Sequence, residues 1–527
     1  QRFNLGGFGI DPLQNLPDPV AGFGDSLTEP AAARVLETEH GPEHTWVRAM
    51  VMTRRNDDGS DTLLAFVTLD AIGAGNLIQD GLKRAVNEAT GIPPENILFG
   101  QTHTHAGADL QGLWGGVPQS WIDNPVDDNG LYQLAAQAVR EAMDIRRPAK
   151  LIVSRKELPD YNNYRRPQIF EDARPDETAT LLRAYDTHSG TLLASMLQYN
   201  AHPTNIGASA HEDVEGLEGR VPHADYVLGL VETLEAEGGV ALYYNGPIAD
   251  AAPSGPGGDN AYDRARRRGE GIASATLGGT EDAVVLADQL SVRHQTVMLP
   301  VTNPLFTVAG ALGAFNRYYD FLQLPLTQIP GLGTLLADQY RNLPQLALTA
   351  ETLVSRVTLG EGEQALEIVT IPGEATHGFG KYIQSLAGYR RTMLLGLTHN
   401  SFGYILPEEE FNYINEVGET GLLPYTNYEE FVSFGPLTAP LLRVQGYNPL
   451  FDAPPQAYLP PSLSACFGVD NGARCIVEDI AARPGWYQRA YGERCREAFG
   501  DDSPFCLLVD PDSGGGGLGD ACRALGG

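Results

Sequence analysis

The stretch DTLLAFVTLDAIGAGNLIQDGLKRAVNEATGIPPENILFGQTHTHAG, residues Asp61–Gly107, decides how the chain folds. Thr62–Asp70 is an apolar run rich in β-branched and aromatic residues, and reads as a strand. The polar turn RRNDDGSD (Arg54–Asp61) joins it to a second such run, TWVRAMVMT (Thr45–Thr53), so the two form a hairpin or tight connection. Asn76–Gly91 carries Leu77, Leu82, Ala85, Val86 and Ala89 at helical spacing and stops on a glycine. NILFG (Asn96–Gly100) is a short buried strand, and the histidine-rich QTHTHAG begins where that strand stops.

The rhythm recurs. TLLASMLQY (Thr191–Tyr199) runs directly into NAHPTN, Asp225–Gly239 reads as a helix with a glycine stop, and VALYYNG (Val240–Gly246) is another strand feeding a loop. Gln364–Gly378 and Thr392–Leu406 repeat the pattern of apolar strand, then small and polar residues. The reading is an α/β fold: a large mixed-sheet catalytic domain with helices and a site on strand-terminal loops, plus a small cysteine-containing C-terminal segment. No sequence repeat is present.

Residues 301–350 are apolar and aromatic but broken by Pro and Gly. They read as short helices packed on the core, or as a greasy wall for an apolar substrate. Composition shifts near Pro440, giving a domain over 1–440, with this insert, and a Pro-rich, cysteine-bearing segment over 441–527. The 5 cysteines (Cys466, Cys475, Cys495, Cys506, Cys522) all fall in that segment, enough for two disulfides of undefined pairing and one cysteine left over. Together with the acidity and a start at Gln1 rather than Met, they point to a mature exported chain, secreted or in the periplasm or cell envelope. The alternative is a set of free thiols in a cytosolic tail.

The 527 residues include 36 Lys and Arg against 67 Asp and Glu, a net charge of −31. That acidity argues against a nucleic-acid or anionic-membrane partner held by bulk electrostatics. No stretch reaches 18 uninterrupted apolar residues, which excludes a transmembrane helix of the usual kind.

His103 and His105 sit at i and i+2, and in an extended segment both would point to one face. His202 follows another strand end. Neutral imidazoles suit zinc, and an open coordination position lets the ion activate water. The competing reading is loop histidines bonded to backbone. Glu374 and Tyr404 occupy comparable strand-end loops, as do His223, His377 and His399, so spacing alone leaves the ligand set open. Nucleophile motifs such as GxSxG, the HExxH zinc motif and a phosphate-binding P-loop are absent, and the cysteines lie far from the histidine loops in sequence.

Taken in order, these loops resemble the neutral/alkaline (non-lysosomal) ceramidase family of zinc-dependent amidases, over roughly residues 5–440. Leu64–Gly112 resembles the family's strand, helix and T-H-T-H-S-G-P loop, with Ala106 where Ser is usual. YNNYRRP (Tyr161–Pro167) is similar to its Asn-Arg-Ser segment, and Glu177–Gly207 to the stretch ending in its second histidine. YYNGPIADAAPSG (Tyr243–Gly255) resembles its N-G-x-x-G-D-V-S-P loop, and IPGEATHG, GLTHNSFGYILPEEEF and NYEEFVSFGP its glutamate, G-Y and Y-E segments.

The resemblance implies one zinc ion per chain held by His103, His202, Glu374 and Tyr404. It implies that His105 holds water or the substrate carbonyl, that Tyr404 also serves catalysis, and that Arg165 or Arg166 binds polar substrate groups or the oxyanion. The implied activity is cleavage of the N-acyl amide of ceramide-like or other N-acyl lipids by zinc-bound water, with peripheral lipid contact at most. Alternatives are a zinc-dependent ester or lactone hydrolase, and a non-catalytic exported binding protein on the same fold. Ala252 stands where the family's proposed nucleophilic serine would be, which excludes a covalent route there unless Ser254 substitutes. The C-terminal segment does not resemble the family's immunoglobulin-like domain.

Overall fold

The structure, a computed structural model, describes residues 41–453 except 113–118, 167–174, 208–209, 216, 218–219, 280–281, 302–305, 307–319, 322–347, 389–390, 408–409, 411–427 and 436–437, together with 2–3, 31–32 and 36–38. The five cysteines, most of the 301–350 insert and residues 454–527 lie outside the described residues. The chain divides into two compact units, the first comprising Gln1–Gln295 and Leu353–Phe402 with residues 314–317, and the second the remainder.

The first unit is mixed α/β. Strand β1 (Val47–Arg55) turns into β2 (Asp61–Leu69) as an antiparallel hairpin, with Val47 opposite Leu69 and Arg55 opposite Asp61. Helix α1 (Asn76–Thr90) returns the chain to β3 (Ile97–Gln101), which lies parallel to β2. Gly91 ends α1 with φ 74°, its N–H donating to Asn87 O, a conformation glycine adopts without steric cost. Helix α2 (Leu131–Asp144) packs beside α1. The hairpin, helix and strand expected from the sequence are all present.

A second sheet is built from β4 (Ala149–Glu157), β6 (Thr178–Asp186), β7 (Leu192–Tyr199) and β8 (Val240–Asn245) in the order β8-β7-β6-β4. Only the β7–β8 pair is parallel, and helix α3 (Tyr226–Ala236) makes that crossover. The short strands β5 (Asn162–Tyr164) and β9 (Ala251–Pro253) pair antiparallel beyond the end of this sheet. Helix α4 (Ala261–Leu277) crosses α3 closely, because a Cβ on Gly269 would lie 1.9 Å from Tyr226 O. A third sheet joins β10 (Leu348–Leu359), of which residues 353–359 belong to this unit, to β11 (Leu366–Thr370) and, parallel to it, β12 (Arg391–Leu395). Helix α5 (His377–Leu386) connects β11 to β12.

Alternating residues send each strand's side chains to opposite faces. Phe66, Leu98, Met196, Leu242, Ile368 and Met393 form one buried cluster shared by the three sheets. Val67 and Phe99 face α1 and α2, and Leu197 and Tyr243 face α3 and α4. Truncating such a side chain to Ala costs about 2–5 kcal/mol, so the strand ends are held by a stiff core.

The parallel pairs β2–β3, β7–β8 and β11–β12 all finish at one end of this core. There Asn245 Nδ2 donates to Gln101 O (2.7 Å), Gly396 N to Asn245 O (2.9 Å) and Ile371 N to Leu395 O (2.7 Å). In open α/β sheets ligands bind outside the carboxyl ends of strands, and the polar loops of this chain start from those ends.

In the second unit, Phe306 packs edge-on against Phe434 (6.0 Å between centroids), Met298 N donates to Gln445 Oε1, and residues 438–450 are helical. Among the described residues, no helix is long and apolar enough to cross a membrane.

Candidate active site

Three strand ends deliver the site. β3 stops at Gln101 and the chain turns through Thr102 to His103, whose φ of 67° is in the left-handed region. The segment is therefore a turn rather than the extended run that would align i and i+2 side chains, yet the turn still brings His105 Nε2 to 3.3 Å from His103 Nε2. β7 stops at Tyr199 and supplies His202, and β11 stops at Thr370 and supplies Glu374. His105 N donates to Pro203 O (3.1 Å) and Arg220 Nη2 to His105 O (3.3 Å), which joins the two histidine loops.

The three imidazoles form one buried cluster, with ring centroids 4.9 Å (His103–His105), 5.0 Å (His103–His202) and 5.7 Å (His105–His202) apart. Glu374 Oε2 lies 3.1 Å from both His103 Nε2 and His202 Nε2. On the far side of the rings, His103 Nδ1 bonds to Ile72 O (2.5 Å) and His202 Nδ1 to Ala251 O (3.0 Å). A carbonyl only accepts, so each Nδ1 carries a proton and each Nε2 is the nitrogen turned inward.

Burial pushes the His105 imidazole well below its ordinary value, with His103 and His202 adding to the effect. Burial lowers His202 as well, and its bond to Glu374 only partly opposes this. Burial alone would raise the Glu374 carboxyl, but the charges and hydrogen bonds of His103 and His202 hold it well below the usual carboxylate range. Two inward ring nitrogens, a third imidazole and a carboxylate oxygen converging at about 3 Å form a donor set that a metal ion can take up. The residues fit a metal ion, and among the described residues His103, His105 and His202 are the group of His, Cys, Asp and Glu side chains close enough to hold one.

The remaining strand-end histidines have other partners. His223 Nε2 bonds to Glu43 Oε2 (2.7 Å), and Arg266 grips the other oxygen of Glu43. His399 bridges Lys83 Nζ (2.9 Å) and Ser355 Oγ (2.8 Å). His377 Nδ1 bonds to Asp250 Oδ2. Of the two arginines, Arg165 lies where its charge depresses both His105 and His202, and its N–H donates to Asp250 O (2.9 Å), while Arg166 is fully buried. Ala252, on β9, pairs with Asn163 of β5, and Ser254 N donates to Tyr161 O (3.0 Å). Tyr404 belongs to the second unit, where its N–H donates to Val432 O (2.9 Å). Asp250 escaped the sequence reading: a single acid among 67 carries no signal until the fold sets it against His377.

No protein-family model and no curated protein matches the chain. Solved structures do. A neutral ceramidase from Pseudomonas aeruginosa superposes with a TM-score of 0.53 at 18% identity, over 81% of this chain and 73% of that one. The fold is that of the neutral ceramidases. A ceramidase complexed with C2 matches equally well, TM-score 0.53 at 18% identity, over 83% of this chain and 75% of its own. The expected mixed-sheet α/β architecture is thus the neutral ceramidase fold, with the histidine and glutamate loops at its parallel strand ends.

Proposed function

We propose that the protein is a zinc-dependent hydrolase that cleaves the N-acyl amide bond of ceramide-like or other N-acyl lipids. The observation that carries this reading is the convergence of His103, His202 and Glu374, with His105 alongside, around one point. Ring nitrogens plus a carboxylate oxygen suit zinc better than magnesium or calcium, which prefer all-oxygen sites. The neutral ceramidase fold supports the amide and the lipid.

In this reading His103, His202 and Glu374 hold the ion, one per chain. A bound zinc ion supplies a Lewis acid that polarises the acyl carbonyl and lowers the pKa of water. The chain's residues do the rest. The carbonyls of Ile72 and Ala251 keep both ligating rings in the required tautomer. His105, neutral because it is buried, accepts a hydrogen bond from water or orients the substrate carbonyl. Arg165 places positive charge beside the site and stabilises the oxyanion that develops on the carbonyl oxygen. With Ala252 lacking a hydroxyl, water attacks the acyl carbon directly and no acyl-enzyme forms on that residue.

Matched N-acyl and O-acyl substrates test the bond. Faster turnover of the amide, relative to each substrate's uncatalysed rate, supports the amidase reading, and turnover of the ester alone would replace it. Export, disulfides in the cysteine-bearing segment and peripheral rather than spanning lipid contact complete the proposal.

A further inference from the structure

His377 and Asp250 form a second acid–base unit that the metal-binding set does not use. His377 opens helix α5, three residues after Glu374, and Asp250 precedes Ala251, whose carbonyl orients His202. Asp250 is fully buried. It accepts from the His377 backbone N–H with both oxygens (3.0 and 3.2 Å) and takes the ring Nδ1 as well. Tyr164 meets the ring edge-on at 5.6 Å between centroids. The imidazole is fixed in position, orientation and tautomer, because the carboxylate claims the Nδ1 proton. With Nδ1 held by Asp250, Nε2 is the ring nitrogen left to exchange a proton, and the residue keeps 7% exposure.

We infer that His377, oriented by Asp250, is the proton carrier of the hydrolysis, taking a proton from the attacking water and delivering it to the leaving amine. This rests on the hydrolase reading above. A buried carboxylate acting only as a helix cap would need the backbone N–H alone, whereas here it also sets which ring nitrogen is free. The step balances within the dyad. The water oxygen forms a bond to the acyl carbon and gives one proton to His377 Nε2. The C–N bond breaks with its electron pair on nitrogen, and that nitrogen takes the proton from Nε2. Acid and amine leave, and the imidazole is neutral again. A positioned general acid–base contributes about 10²–10⁴-fold, and its weight depends on the leaving group: an alkyl amine cannot leave without a proton, whereas p-nitrophenolate can.

The test compares the metal-loaded wild type with His377→Gln and Asp250→Asn on an N-acyl alkylamine and on the p-nitrophenyl ester of the same acid. Circular dichroism and metal content report folding and site integrity. His377→Gln is expected to lose about 10²-fold or more in kcat on the amide and less than about tenfold on the ester, with metal retained. Asp250→Asn is expected to show the same selectivity with a smaller loss. Diethylpyrocarbonate, mapped by mass spectrometry, is expected to modify His377 and to spare His202, which is fully buried. An equal loss on both substrates, or none, overturns the proton-carrier role while leaving the hydrolase intact. A wild type inactive on both substrates overturns the hydrolase reading and the dyad with it. Should Asp250→Asn fail to fold, the His377→Gln selectivity and the modification map decide alone.

Discussion

Glu374 Oε2 lies 3.1 Å from His202 Nε2, although 172 residues separate them in sequence. The two reach each other because β7 and β11 end on the same side of a shared core. Glu374→Gln keeps the shape and removes the charge. It is expected to weaken metal binding by about a hundredfold, at the upper end of effects seen for groups supporting metal ligands, and a competition titration with a zinc chelator measures it. Unchanged affinity would remove Glu374 from the ligand set.

The histidine loop rests on a buried ion cluster whose pH response has a defined sign. Burial opposes ionisation of Glu43, but His223 and Arg266 prevail and hold its carboxyl at about 2, below the ordinary 4.5. The folded state therefore binds fewer protons than the unfolded state between these values. The stabilisation is fully present above about 4.5 and is lost as pH falls through about 2. Glu43→Gln is expected to cost about 3 kcal/mol at pH 7, with the difference closing towards pH 2 in urea titrations. Because Thr104 Oγ1 donates to His223 O (2.7 Å), the same variant is expected to loosen the site.

Much of this was legible in the sequence, and the limits have physical causes. The strands ILFGQ, LLASMLQY and LEIVT announce themselves as apolar runs, and His103, His202 and Glu374 stand just past them. Local pattern places each residue at a strand end. Which ends meet depends on sheet order, which is a long-range property, and the choice among His202, His223, His377 and His399 came from family resemblance. The structure gives the last three their own partners: Glu43, Asp250, and Lys83 with Ser355. The left-handed turn at His103 had no signature, since non-glycine residues enter that region in only a few per cent of cases.

Burial, partly opposed by Asp80 and Glu95, pushes Lys83 down to about 8 from 10.5. A buried cation with a lowered value destabilises the fold below about 8, and that cost is relieved as pH rises from about 8 to 10.5. Lys83→Met removes the charge but also the bond to His399 (2.9 Å). The variant is expected to gain about 2 kcal/mol at pH 7 and almost nothing at pH 10.5. A gain that does not shrink with pH would show that packing rather than charge controls this position.

Ala252 predicts one-step chemistry. Rapid-quench experiments are expected to show no burst of amine, and intact-mass measurements no acyl adduct during turnover. Ala252→Ser is expected to change kcat by less than about tenfold, because a serine there lacks a dedicated base. An acyl adduct on the wild-type chain would contradict direct attack by water.

Metal content by mass spectrometry, on protein purified without added metal or chelator, tests the central claim most directly. The account predicts about one zinc per chain, lost together with turnover in a folded His202→Ala variant. A wild-type chain that takes up no zinc even when it is offered would contradict the metal site, leaving the fold without the chemistry proposed for it.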